Sequence, residues 1–211
     1  MSSLLTILML VILFASVATL YTEGMWSNAI RLVNTVTAAL LAVNFFEPLA
    51  RWMESQAPTF TYVWDFLALW LLFALFTVIL RLLTDQVSRV QVRFLKLADQ
   101  IGSTIFSLWI GWVLVCFTML TLHTAPLSQN FLYGGFTPRE HMLLGFAPDR
   151  QWLGFVQSQS MGAFSQPATP EESEKEKYVF DPNADFMPKY SARRAALESQ
   201  VATKGTLRTA N

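Results

Sequence analysis

Few side chains in this sequence have both the type and the spacing to do chemistry. His123 and His141 have no cysteine or carboxylate companion at metal-ligand intervals, so a structural or solvated imidazole is expected at each, with no bound metal and no cofactor. Cys116 is the lone cysteine and sits in an apolar run, which predicts a packed, inert thiol and no internal disulfide. Asp65 is the best candidate for a functional ionisable group. Deep in lipid such a carboxylate would mark an ion path, but Thr59, Thr61 and Tyr62 beside it favour an interfacial or helix-start position. Asn34 and Asn44 lie in an otherwise apolar stretch, where a hydrogen bond between helices, of roughly 1 kcal/mol, is expected before a pore lining. Ser103, Ser107 and Gly111 recur every fourth residue, which puts three small side chains on one helix face and predicts close approach of another helix. There is no phosphate loop, dinucleotide fingerprint, nucleophile elbow or zinc-protease motif. The aromatics are not interleaved with a basic patch and the formal net charge is +0, so nucleic-acid binding is not expected.

The elements that must position these residues are membrane helices. The chain is 53% hydrophobic and only 14% charged, against roughly 25% charged in an average soluble domain. A spanning helix needs about 20 mainly apolar residues to cross a hydrocarbon core about 30 Å thick. Four stretches meet or approach that: 4–21, 28–46, 62–83 and 101–123, the last closed by Pro126. In lipid every backbone group must be paired within its segment, and none of the runs alternates as a barrel strand would, so the expected fold is all-α. No Lys or Arg precedes the first apolar run, which favours an uncleaved first helix over a signal peptide cut near Ser16-Val17-Ala18.

Between the third and fourth stretches, Arg81, Asp85, Arg89, Arg93, Lys96 and Asp99 recur at steps of four or three, with Leu83, Val87, Val90, Phe94, Leu97 and Ile101 opposite. That pattern predicts one amphipathic connector helix over 81–100, either solvated or lying at the membrane surface. Arg81, Arg89, Arg93 and Lys96 form the densest basic cluster near any span, whereas the loop 47–61 holds only Arg51. The excess predicts a cytoplasmic connector and both termini on the far side. After residue 125 the chain changes. Thr137-Pro138-Arg139-Glu140 predicts one short helix and Pro148 another, the latter placing Trp152, Phe155 and Val156 on one side at the membrane interface. The stretch 165–177 reads as a disordered polar linker, 178–190 as extended, and 192–201 as a short helix. The expected division is a four-helix membrane domain over 1–125, short interfacial helices over 126–164, and a polar, largely disordered tail over 165–211, dispensable for insertion.

This layout resembles the bacterial colicin V production (CvpA) family over about residues 1–125. The resemblance rests on Gly24 followed by Asn28-Ala29-Ile30-Arg31-Leu32, and on Leu97-Ala98-Asp99-Gln100-Ile101-Gly102-Ser103 running on to Phe106-Ser107 and Gly111-Trp112-Val113-Leu114. Asp99 and Gly111 match the family's pattern. Gln100 and Ile110 stand where it often has arginine, and Ser103 and Ser107 where it has glycine. The resemblance implies a bacterial inner-membrane protein linked to colicin V production or export and to envelope maintenance, with no catalytic residues to carry over. Two functions are expected to compete. One is a non-enzymatic accessory or scaffold acting through helix packing and contact with lipid, a second copy or other membrane proteins. The other is a small oligomeric transporter or channel, which would need Asn34, Thr37, Asn44 and Asp65 to converge on a shared cavity.

Overall fold

The computed structural model describes residues 3–88, 95–127, 146–162, 180, 181 and 183–209. Six α-helices account for nearly all of them: α1 (Ser3–Leu20), α2 (Met25–Gln56), α3 (Thr61–Val87), α4 (Lys96–Thr124), α5 (Pro148–Met161) and α6 (Phe186–Thr209). The first four coincide with the four expected spans, and each is long and apolar enough to cross a membrane. The chain is an all-α, multi-pass membrane protein.

Chain reversals set the architecture. A single 3₁₀ turn (Tyr21–Glu23) and Gly24 join α1 to α2, and Ala57 with a second 3₁₀ turn (Pro58–Phe60) joins α2 to α3. Gly24 has φ of +86°, a conformation that costs glycine nothing and most side chains a good deal. Reversals this short make successive helices antiparallel. One end of the bundle therefore gathers the first loop, the end of α3 and the start of α4, and the other gathers the second loop and the described residues after α4. We call these the connector end and the tail end.

Helices α2 and α4 lie side by side at the centre, α3 rests on α2, and α1 rests on α4. The core between them is built from small α2 residues (Ala39, Ala42, Ala50) and large ones facing them, above all Phe46, Leu69, Phe117 and Leu120. Trp70 and Phe73 of α3 stack around Phe117 of α4 at centroid separations of 5.4 and 4.6 Å, within the range of favourable ring pairs. Cys116 is buried in this core, as its apolar surroundings predict. At 32 residues α2 is about 48 Å long, well beyond the hydrocarbon thickness. Its last turns, after Pro48, carry Arg51 and Glu54 on one side while Leu49, Ala50 and Met53 still pack in the core.

Several expectations change. The connector is not one helix over 81–100. α3 ends at Val87, Ser88 and Leu95 are non-helical, and α4 starts at Lys96. The sequence period sees an amphipathic face, but it cannot see that the chain must turn back through the membrane. Arg81 and Lys96 therefore belong to the ends of two spans, while Arg89 and Arg93 lie outside the described residues. The helix expected from Thr137 and the linker 165–177 also lie outside them. The helix at Pro148 forms, with Trp152 and Val156 buried in the core and Phe155 exposed. In the tail, the stretch expected to be extended is helical from Phe186. Phe186 and Tyr190 are buried in the main core cluster, with Phe46 at 6.5 Å from Phe186 between ring centroids.

Candidate functional site

The polar side chains fall into two groups, one at each end of the bundle. At the connector end they converge on the first loop. Asn28 is completely buried. Its Nδ2 donates to the Leu20 carbonyl at 2.8 Å and to Ser103 Oγ at 2.9 Å, and Ser103 Oγ donates in turn to the Tyr21 carbonyl at 2.8 Å. The last turn of α1 leaves carbonyls without helical partners, and Asn28 and Ser103 supply donors to that region. Asp99, in the first turn of α4, accepts from the Met25 backbone N–H at 2.8 Å. That N–H opens α2, where the helix dipole favours a carboxylate. Gly24 is favoured by its φ and not by its size, since an added Cβ would meet the Asp99 carboxylate at 3.5 Å, an ordinary contact. At Gly102 an added Cβ would overlap the Met25 side chain, so Met25 fills the space that glycine leaves.

The small-residue face of α4 continues from this knot. Ser103, Ser107 and Gly111 are all buried. The neighbour at Gly111 is α1: an added Cβ would stand 3.2 Å from the Leu13 carbonyl oxygen and 3.2 Å from Ser16 Cβ. Ser107 bonds back to the Thr104 carbonyl at 2.9 Å, which leaves no polar group exposed in the contact. Farther out at the same end, Arg31 meets Glu23 at 3.2 Å and Arg81 meets Asp85 at 3.8 Å. Asn34 Nδ2 donates to Thr84 Oγ1 at 2.9 Å, linking α2 to α3.

At the tail end the pairs are ionic. Asp65 lies in the second turn of α3, the helix-start position expected of it, but α6 covers it and it is buried. Its partner is Arg193, which also donates to the Thr61 carbonyl at 2.5 Å and lies over the Tyr62 ring at 5.5 Å. Lys189 reaches Glu47 at 2.9 Å, and Arg51 reaches the same carboxylate at 3.1 Å. Burial foremost, and then the Asp65 and Glu47 carboxylates, push the Tyr190 phenol above its ordinary range, so it stays neutral. Burial alone acts to lower Arg194, with Glu198 opposing it. Asn44 departs from its expected role: it is exposed on the outside of the bundle and its Nδ2 turns back to the Leu40 carbonyl at 2.8 Å.

One pair has no counterpart in the sequence reading. His123 Nε2 and Asp149 Oδ2 are 2.9 Å apart, with side-chain exposures of 0% and 2%. His123 sits in the last turn of α4 and Asp149 in the first turn of α5. The pair joins α5 to the bundle. Among the described residues no cluster of three or more His, Cys, Asp or Glu could hold a metal ion.

A family model described as colicin V production protein matches residues 5–138. No curated protein matches, and no solved structure matches. The matched stretch contains all four spans and the whole knot at the first loop. It ends before α5 and α6.

Proposed function

The chain belongs to the colicin V production protein family, and on that premise we propose that it is a non-enzymatic accessory or scaffold protein of the bacterial inner membrane, serving toxin production or export and envelope maintenance through helix packing and partner contact. The observation that carries this reading is how the intramembrane polar groups are used. Asn28 is tied to Ser103, Asn34 to Thr84, and Asp65 to Arg193, while Asn44 bonds to its own helix. Each group is matched locally, and together they trace no shared path from one end of the bundle to the other. The Ser103, Ser107 and Gly111 face serves as a seam for α1 in this reading. An oligomeric transporter or channel is the alternative, and an open polar cleft beside Asn34 is the observation in its favour.

Crosslinking in native membranes, followed by identification of the crosslinked proteins, tests the scaffold reading. Specific membrane partners are expected. Solute or ion flux through proteoliposomes of the purified chain, with no partner captured, would replace it with the transporter. In the same reading the connector end is cytoplasmic and both termini are outside, because, of the two short loops between spans, the one after α3 carries Arg81, Arg89, Arg93 and Lys96 and the stretch 47–61 only Arg51. In a Cys116-free background, Gln56→Cys should label from outside intact cells and Ser88→Cys should not. The reverse pattern would invert the topology.

A further inference from the structure

The cleft at the connector end has a volume of about 640 Å³, within the range of small-molecule sites. Its walls come from α1 and α3 and its floor from α2 and α4. Its chemistry is graded along the membrane normal. At the mouth stand Glu23, Arg31, Arg81 and Asp85, two cations and two anions. Trp26 stands with them and donates to Ser88 Oγ at 3.1 Å, an amphipathic ring at headgroup level. At depth the lining turns to Phe73, Ile110 and Leu114.

Between mouth and floor the walls carry hydroxyls, but these are already used. Ser16 donates to the Ile12 carbonyl at 2.7 Å, Thr19 to Ala15 at 3.0 Å, Thr35 to Arg31 at 2.8 Å and Thr77 to Phe73 at 2.7 Å. Each bond points a hydroxyl back into its own helix. With Asn34 Nδ2 likewise used by Thr84 Oγ1 at 2.9 Å, these donors are already bonded where an acyl chain would lie.

A charged, balanced mouth above a self-satisfied interior fits an amphiphile with a zwitterionic head. We propose that the cleft binds one glycerophospholipid with an ethanolamine headgroup, its phosphate toward Arg31 and Arg81, its ammonium toward Glu23 and Asp85, and an acyl chain against Phe73, Ile110 and Leu114. The mouth's charge is the selector. The phosphate of an anionic glycerol lipid would meet Arg31 and Arg81 equally well, but its uncharged glycerol would draw those cations from Glu23 and Asp85 and bring no ammonium in their place, and a choline head has no N–H to donate to a carboxylate. This site stands independently of the scaffold reading and is compatible with the failure of that reading.

The test is native mass spectrometry of the full chain in mild detergent, titrated separately with dioleoyl phosphatidylethanolamine, phosphatidylcholine and phosphatidylglycerol. One ethanolamine lipid per chain should be retained, about fivefold more tightly than the other two, the scale of a single exposed charge pair. Thr77→Trp fills the cleft from the α3 wall and should abolish retention. Leu75→Trp, on the exposed side of the same helix, should leave it intact. Asp85→Asn should remove most of the preference among headgroups. Equal retention of all three lipids, preference for phosphatidylglycerol, or full retention by Thr77→Trp would overturn the proposal. So would soluble O-phosphoethanolamine that raises the thermal midpoint as far as the lipid does, since the cleft would then serve a soluble ligand. If Thr77→Trp does not fold, the wild-type preference and its loss in Asp85→Asn decide.

Discussion

At the connector end, Asn28, Ser103 and Asp99 bind backbone groups of the first loop. At the tail end, Asp65, Glu47 and His123 are each matched by a charged or titratable side chain from α5 or α6. The first kind of bond satisfies groups that the helix ends would leave bare in any case. The second brings charges together that would be costly to bury alone, and so makes the late helices necessary to the earlier ones. The tail end should thus be the more sensitive to loss of a single partner, and four substitutions test that difference.

The largest effect is expected at the tail end. His123→Leu leaves the Asp149 carboxylate buried without its partner, which should cost about 3–5 kcal/mol. A thermal midpoint in mild detergent measures it, and a near-neutral result would mean that α5 can leave the bundle freely. Next comes Arg193→Gln, which deprives Asp65 of its cation and should cost about 1.5–3 kcal/mol. Hydrogen exchange should then rise across α6 while α1 to α4 stay protected. If exchange rises evenly through the bundle, α6 is not a separately attached element. Between the two ends, Gly111→Leu pushes a side chain into the Leu13 and Ser16 backbone contact and should cost about 1–3 kcal/mol, whereas Leu114→Ile should be tolerated. Identical folded yields for the two variants would remove the seam between α1 and α4. The smallest effect belongs to the connector end. Asn28→Ala should cost about 1 kcal/mol, because Ser103 still reaches the Tyr21 carbonyl. A loss as large as that of His123→Leu would erase the contrast between the ends.

The same contrast explains what could be read from the sequence. The four spans follow from length and hydropathy, which depend only on neighbouring residues. The small face of α4 was visible because a period of four survives in one dimension, although nothing in it named α1 as the neighbour. The first-loop knot left a partial trace, since Gly24, Asn28, Asp99 and Ser103 all lie in the stretches that carry the family resemblance. The tail left none. Arg193 meets Asp65 across 128 positions of sequence, and His123 meets Asp149 across 26 positions that include residues with no clear period. In α6, Phe186 and Tyr190 are four apart, an apolar pair too short to predict burial by itself. The prolines in 178–190 argue for an extended chain, but Pro188 falls in the first turn of α6, where a missing N–H costs nothing.

Asp99 and Ser103 also impose an order on biosynthesis. Met25 N–H and the Asn28 amide find their partners 74 and 75 residues farther along the chain. A ribosome delivers α1 and α2 first, so that hairpin enters the bilayer while the groups that close its turn are still unmade. It stays provisional through the synthesis of α3. The start of α4 then latches it, so the first loop reaches its final form only after three spans have been made.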